Sequence, residues 1–376
     1  MKIDFWTSTE YGGFMNALMS ELREKRIEAS QRFNISEATY RSAQSSLQRL
    51  LLRFRQYIAY PIQLSFNVCF ETIKGNSKRP VVVATNTFFA PLLATFFNRR
   101  VVHLVYDLFP EAMIHSGKWE EGQLRVKFFR WLVGLSLKRS AMNVFLGERL
   151  KAYVESIHGA VPNSCIIPVG ADERPFRQIT ERAEGSEDSP IEILYCGNLG
   201  NMHDTQTLFD AWASGIEAPF IFRFQCSGPK RAALEQFSKS HAKALGGRLK
   251  IGSGLGQAEW IEAMQSAPIA LVTMTEGAQE VVMPSKTYSA MMAGQAILAI
   301  APEDSDLVDL IKHYDCGWWV RPGDSEGFQR CLKEIQAKPS LLQEKRRLAF
   351  EAAQTHFGQA RLAEAWMAVF ETLQNS

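Results

Sequence analysis

Short, unbroken apolar runs alternating with helical patterns constrain this chain more than any other feature it has. VVVAT at 81–85, VVHLVY at 101–106, MNVFL at 142–146 and CIIPV at 165–169 carry almost no polar residue. Strands of a parallel sheet are buried on both faces and need runs of that kind. KIDFWT at 2–7 opens the series. After Gly12-Gly13 comes a helical pattern, with Phe14, Leu18 and Leu22 on one side and Glu21, Arg23, Glu24 and Lys25 on the other. Strand and helix in strict alternation predict a parallel sheet with helices on both faces.

A second series follows a polar stretch. RQITERAEGSEDSP at 177–190 reads as a linker, and the strands IEILYC (191–196), FIFRFQC (220–226), RLKI (248–251), PIALVT (268–273) and AILAI (296–300) come after it. A long helical pattern over 340–373 carries Ala, Leu and Trp366 on one face. The expectation is two Rossmann-like, doubly wound α/β domains over 1–176 and 190–340. A C-terminal helical segment, 341–376, is expected to pack back towards the first domain. A length of 376 residues suits two domains. In such pairs a ligand is expected in a central cleft facing the carboxyl ends of the strands.

The net charge of +2 hides an asymmetry. Residues 1–175 hold 23 Lys and Arg against 15 Asp and Glu, a net of +8, and the remainder holds 19 against 25, a net of −6. A near-neutral whole argues against a dedicated nucleic-acid binder, and two halves of opposite sign suggest different partners. The six cysteines form no CxxC and no close pair with His. Zinc is therefore not expected, and free thiols point to a reducing, cytoplasmic compartment. MKIDFWTS lacks the apolar core of a signal peptide, and no run is long enough to span a bilayer.

Two segments could carry chemistry. Cys196-Gly197-Asn198-Leu199-Gly200-Asn201-Met202-His203-Asp204 follows a strand and precedes a helix. Glycines there let a backbone approach a ligand, and a helix start offers N–H groups to an anion. A plain turn capped by Asp204 is the alternative. The second is Met283-Pro284-Ser285-Lys286, where Pro and Ser mark a helix start. A cation in a first helical turn opposes the helix dipole, so Lys286 makes sense if an anion binds beside it. A solvated lysine is the other reading. Neither GxxxxGK[ST] nor GxGxxG occurs.

The stretches ILYCGNLGNMHDTQTLFDAW, FRFQCSGPKRAALE, EWIEAMQSAPIALVTM, MPSKTYSAMMAGQAILAI and CGWWVRPGD resemble, in order and spacing, the nucleotide-sugar domain of bacterial retaining glycosyltransferases of family 4. YDLFPEAM at 106–113 is similar to a first-domain motif of members that build surface polysaccharide. The resemblance covers nearly the whole chain, strongest over 191–325 and weakest over 20–80. It implies the GT-B fold. Its activity would be transfer of a sugar from a nucleoside diphosphate sugar, UDP-linked by preference, to a glycan or lipid-linked acceptor. It implies that Gly197, Asn198, Gly200, Ser285 and Lys286 hold the donor diphosphate. Gly12 and Gly13 would close over the donor sugar, and Asp107, with Glu111 close behind, would serve catalysis.

The chain departs from the family pattern. An E-x7-E pair is usual before the AMAxG-like helix, but Val281 and Ser289 occupy those positions, leaving Glu280, or Glu276, as the substitute. The Arg and Lys usual after the first glycine turn are absent. Lys230 and Arg231 could supply that charge, or could simply open a solvated helix. No DxD motif stands at a strand end, so metal independence is expected, with no cofactor beyond the donor substrate. Trp318 and Trp319 read as packing at a strand end rather than as a sugar platform.

Residues 38–70 contain no acid but carry Arg41, Arg49, Arg53 and Arg55 among Leu, Phe and Tyr. Residues 122–147 are also acid-free, with Arg125, Lys127, Arg130, Lys138 and Arg139 among Phe128, Phe129, Trp131 and Leu132. Basic amphipathic helices with aromatics suit peripheral contact with an anionic membrane, here the cytoplasmic face of the inner membrane. Core helices with a solvated basic face would look the same. Two other functions remain open: a GT-B-like nucleotide-sugar epimerase, and a degenerate binding or scaffold subunit.

Overall fold

The computed structural model describes residues 1–42, 45–76, 79–176, 190–217, 219–281 and 283–375. The linker expected at 177–190 lies, except for Pro190, outside the described residues. The chain forms two units: Met1–Val169 with Gln359–Ser376, and Gly170–Gly358.

The first unit holds six strands: β1 (Lys2–Trp6), β2 (Glu28–Arg32), β3 (Val81–Ala84), β4 (Val101–Val105), β5 (Met142–Phe145) and β6 (Ser164–Ile166). All pair in parallel, in the order β2-β1-β3-β4-β5-β6. β3 and β4 are buried along their whole length, as the Val-rich runs demand, and β4 takes His103 into the interior with it. The strand order reverses between β1 and β3, and in open α/β sheets ligands gather at the carboxyl ends beside such a reversal.

The second unit repeats the plan with β7 (Ile191–Asn198), β8 (Phe220–Ser227), β9 (Leu249–Gly252), β10 (Ile269–Thr273), β11 (Ala296–Ile300) and β12 (Gly317–Val320). Its order is β12-β11-β10-β7-β8-β9, again all parallel, and it reverses between β7 and β10. Phe220, Phe222 and Phe224 alternate inward along β8 and pack with Trp212 and Phe328.

The sequence reading omits β2 and β12, and both are edge strands. β2 reads EASQR, with only Ala29 buried, because an edge strand needs little apolar surface. β12 is four residues that begin with glycine. Trp318 is buried in the second unit's core with its indole N–H donating to Glu334 Oε2 at 3.1 Å. Trp319 lies under Lys312.

The helical pattern of 340–373 is not one helix. Pro339–Ala352 and a wide turn, Ala353–Phe357, belong to the second unit, whereas Gln359–Asn375 belongs to the first. Gly358 between them is extended, pairs with Ala171 and lies close to the Glu173 carboxylate. The unit boundaries therefore fall at 169/170 and 358/359 instead of at 176 and 340. In the first unit Trp366 and Phe370 of the last helix pack edge-on against Phe5 of β1, with ring centroids 5.0 and 6.3 Å away. All six cysteines are free thiols. No helix among the described residues is long and apolar enough to cross a membrane.

Candidate functional site

The second unit gathers its polar chemistry at the carboxyl ends of β7, β8 and β10, beside the strand-order reversal. β7 ends in Gly197-Asn198, where Gly197 has φ 135°, a conformation that favours glycine. The chain then turns through Leu199-Gly200. The Leu199 N–H bonds the Ser227 carbonyl at 2.7 Å, and the Tyr195 hydroxyl bonds the Asn198 carbonyl at 2.8 Å. Gly228, with φ 107°, lets the loop after β8 lie against this turn, for a Cβ there would meet Asn198 Oδ1 and stand 2.7 Å from the Leu199 carbonyl. The loop after β10 joins through the Thr275 N–H, which donates to the Met202 carbonyl at 2.9 Å.

His203 orders this turn. The Gly200 N–H donates to its Nδ1 at 3.1 Å. Burial, then the nearby charges of Lys286 and Lys230, push its pKa down to about 3. A neutral imidazole accepting at Nδ1 carries its proton on Nε2. His203 therefore presents one N–H donor to the site. Lys230 spans the turn, its Nζ donating to the His203 carbonyl at 2.5 Å.

Lys286 is the first residue of the helix Lys286–Met292. Its Nζ is shut from solvent, has no hydrogen-bond partner among the described residues, and lies 3.8 Å over the centre of the fully buried Tyr195 ring. Burial lowers its pKa to about 7, against a smaller opposing influence of Cys196 and Cys226. A buried ammonium held only by a ring face lacks the anion that would satisfy it.

The structure thus brings Gly197, Asn198, Gly200 and Lys286 to one end of one sheet. Ser285 precedes Lys286, is exposed and caps nothing. Glu280 stands in a single turn, Ala278–Glu280, after Gly277. Val281, at a position where the family carries Glu, is core. One contributor escaped the sequence reading: Tyr195 reads there as one more apolar residue of a strand. Lys230 is open there between supplying charge to the site and opening a solvated helix. No local signal distinguishes Tyr195, because its role depends on Lys286 arriving from 91 positions further on.

In the first unit, Gly12 and Gly13 follow β1 and open the helix Gly13–Glu24, whose start has no side-chain cap. A Cβ on Gly13 would meet nothing within 4 Å. Tyr11 beside them touches Tyr106 edge-on, with centroids 5.2 Å apart. Asp107 follows Tyr106 at the carboxyl end of β4, and Thr85 Oγ1 accepts from both backbone N–H groups at 2.9 and 3.0 Å. Gly12, Gly13 and Asp107 therefore share one loop cluster. Asp107 is exposed, yet the protein atoms crowded around its carboxyl desolvate it and raise its pKa. Glu111 is placed differently. It is buried, and its Oε1 accepts from Arg130 Nε at 2.8 Å, while Arg130 also bonds Glu121. Among the described residues no three His, Cys, Asp or Glu side chains converge as metal ligands.

With this geometry in view, similar proteins were sought. No family model matches the chain. It is 24% identical over 319 residues to the probable glycosyltransferase WbjE of Pseudomonas aeruginosa, covering 80% of this chain and 76% of that one. Among solved structures, sucrose-phosphate synthase from Thermosynechococcus elongatus superposes with a TM-score of 0.73 at 14% identity over 99% of both chains. Anabaena Alr3699/HepE in complex with UDP gives 0.70 at 14% identity, covering 99% of this chain and 100% of that one. WaaG, a glycosyltransferase involved in lipopolysaccharide biosynthesis, gives 0.65 at 13% identity over 98% and 99%. The fold is GT-B, with two Rossmann-like units, as the resemblance read in the sequence implied.

Proposed function

We propose that this protein is a glycosyltransferase that moves a sugar from a nucleoside diphosphate sugar, UDP-linked by preference, to a glycan or lipid-linked acceptor in cell-surface polysaccharide assembly. The observation that carries the reading is the buried, unpartnered Lys286 ammonium beside the glycine turn of β7. A structural lysine would reach water or a carboxylate, and this one is supported only by the Tyr195 ring. The similarity to WbjE and the UDP bound in the HepE structure support the same substrate class.

In the proposed reaction the bond from the anomeric carbon to the donor diphosphate breaks, and a bond to an acceptor hydroxyl oxygen forms. The acceptor proton passes to the departing diphosphate, and the linkage keeps its configuration. Negative charge grows on the leaving group, and preorganised positive groups in a dry site stabilise it most. Lys286 is assigned that task, with the His203 Nε2–H and the backbone of Gly197, Asn198 and Gly200 as further donors. Ser285 and Glu280 are assigned to the donor as well, and Gly12 and Gly13 to its sugar. This division leaves the leaving-group charge to the protein and needs no metal. Asp107, with its raised pKa, is assigned to the acceptor hydroxyl. Glu111 becomes a positioning residue, holding Arg130. The protein is assigned to the cytoplasmic face of the inner membrane as a peripheral component.

Calorimetric titration with UDP and with GDP, without added metal, tests the reading. Binding of one nucleotide that falls about a hundredfold in Lys286→Ala is expected, because charged hydrogen bonds in dry sites contribute about 1.5–3 kcal/mol. Absence of binding by a folded protein sinks it. Asp107→Asn should then keep nucleotide binding and slow transfer, and full turnover in that variant removes Asp107 from the chemistry.

A further inference from the structure

One long helical run in the first unit has a face that the molecule itself does not cover. Ser46–Phe54, Arg55–Ala59, Tyr60–Glu71 and Thr72–Asn76 follow one another without a break. The junction residues Phe54, Arg55, Ala59, Tyr60 and Thr72 keep right-handed helical dihedrals, and Gly75, with φ 85°, ends the run. At 1.5 Å per residue it extends about 40 Å. Its apolar anchorage lies in the second half, where Tyr60, Leu64 and Val68 join Trp6, Val83 and Val101 in a core cluster, and Arg55 and Gln56 add hydrogen bonds to Asn34 and Asn86. The first segment, Ser46–Phe54, has no buried residue.

A line of exposed apolar residues runs along this helical run, with Gln48, Arg49, Arg53, Gln63 and Asn67 exposed beside that line. Leu47, Leu50, Leu51 and Phe54 are 53–66% exposed. Ile58, Ile62, Phe66 and Phe70 continue the line at 46–69%, and Ile73 ends it at 77%. From Phe54 to Phe70 the spacing is four, which drifts about 40° per step in an ideal helix. The wide turn Arg55–Ala59, just before Tyr60-Pro61, adds residues per turn and so offsets part of that drift. Phe96 and Phe97, both exposed, adjoin this line, for Thr72 Oγ1 donates to the Phe97 carbonyl at 2.8 Å. Arg139 of the second acid-free segment lies 4.7 Å over the Phe96 ring. Arg139 thus adds a cation from the second acid-free segment beside this line.

Charge selects the occupant. Across 38–70 there is no acid, and neither Arg49 nor Arg53, both exposed, forms an ion pair among the described residues. Lys74 lies 4.2 Å over the Phe70 ring. A second copy docked symmetrically would set this acid-free strip against itself, arginine facing arginine. A monomer rarely leaves so long an apolar strip in water. Apolar side chains entering the acyl boundary, with cations beside them at the headgroups, satisfy both properties. We propose that the 46–76 helix is a docking element that lies flat in the surface of an anionic bilayer. The proposal rests on the transfer reading in that it presents the first unit to an acceptor carried by that lipid surface.

Vesicle flotation of the full chain tests it, with phosphatidylcholine vesicles lacking or containing phosphatidylglycerol. The wild-type protein should float with the anionic vesicles only. Leu51→Glu with Ile62→Glu, both at exposed positions, should weaken that binding about tenfold or more, and Arg49→Gln with Arg53→Gln should weaken it and flatten its salt dependence. UDP titration of the variants should match the wild type. Failure to float, equal binding to neutral vesicles, or unchanged binding by the Glu variant overturns the proposal, as does a dimer in sedimentation that the Glu substitutions abolish. Absence of both UDP and GDP binding by the folded wild-type protein overturns the transfer reading and leaves the docking result standing.

Discussion

At the scale of single residues, the balance between burial and charge makes Lys286 a proton-linked group. Its pKa in the folded chain is about 7, against 10.5 for an ordinary lysine. Between those values the unfolded chain binds the extra proton. Stability of the free protein therefore gains from this residue as pH rises from about 7 towards 10.5. Diphosphate binding acts in the opposite direction, because an anion draws a proton onto the amine. Nucleotide affinity should fall above pH 7, approaching tenfold per pH unit for one coupled proton. Calorimetry in buffers of different ionisation heat should detect proton uptake, and Lys286→Arg should abolish it, since guanidinium stays charged. Glu111 gives a contrasting case. Removing its partner in Arg130→Met leaves a buried carboxylate alone, which should cost about 3–5 kcal/mol in urea unfolding. Nucleotide binding should survive at temperatures where the variant stays folded.

At the scale of elements, close approach explains what composition hides. Gly317 opens β12 directly beside Ile297 of β11, and a Cβ there would run into the Ile297 carbonyl. Gly317→Ala should lower stability by about 3 kcal/mol, read as a fall in thermal midpoint, because backbone has no rotamer with which to yield. The buried strands were legible because burial on both faces writes itself as Val and Ile runs. β2 was not, since EASQR at an edge has no such obligation. The break at Gly358 was hidden for another reason. Apolar periodicity continues across it, and the pairing with Ala171 comes from far away in sequence. In the site, the glycine turn and Pro284-Ser285-Lys286 stood out through local backbone chemistry. Tyr195 did not, because a tertiary contact alone gives it its task, and Lys230 could be read either way. For Glu111, a carboxylate close behind Asp107 suggested catalysis, and its pairing with Arg130, 19 residues on, was not legible because it is a tertiary contact.

At the scale of the whole molecule, each unit has a core of its own, and the first depends on the chain's last helix. Trp366 and Phe370 belong to the same cluster as Phe5, Ile3 and Val102. Trp366→Ala should cost about 3–5 kcal/mol. Amide exchange should quicken across β1, β3 and β4 while β7, β8 and β10 keep their protection. Equal loosening of both sheets would contradict the division at 169/170 and 358/359.

The return of the chain at Gly358 also fixes a schedule for its birth. A ribosome delivers residues in order, so the segment 170–358 is complete while the first sheet still lacks its closing helix. The nascent first unit must wait, its Phe5 surface uncovered, until about 190 intervening residues have been made. Residues made late are what residues made about 190 or more positions earlier need.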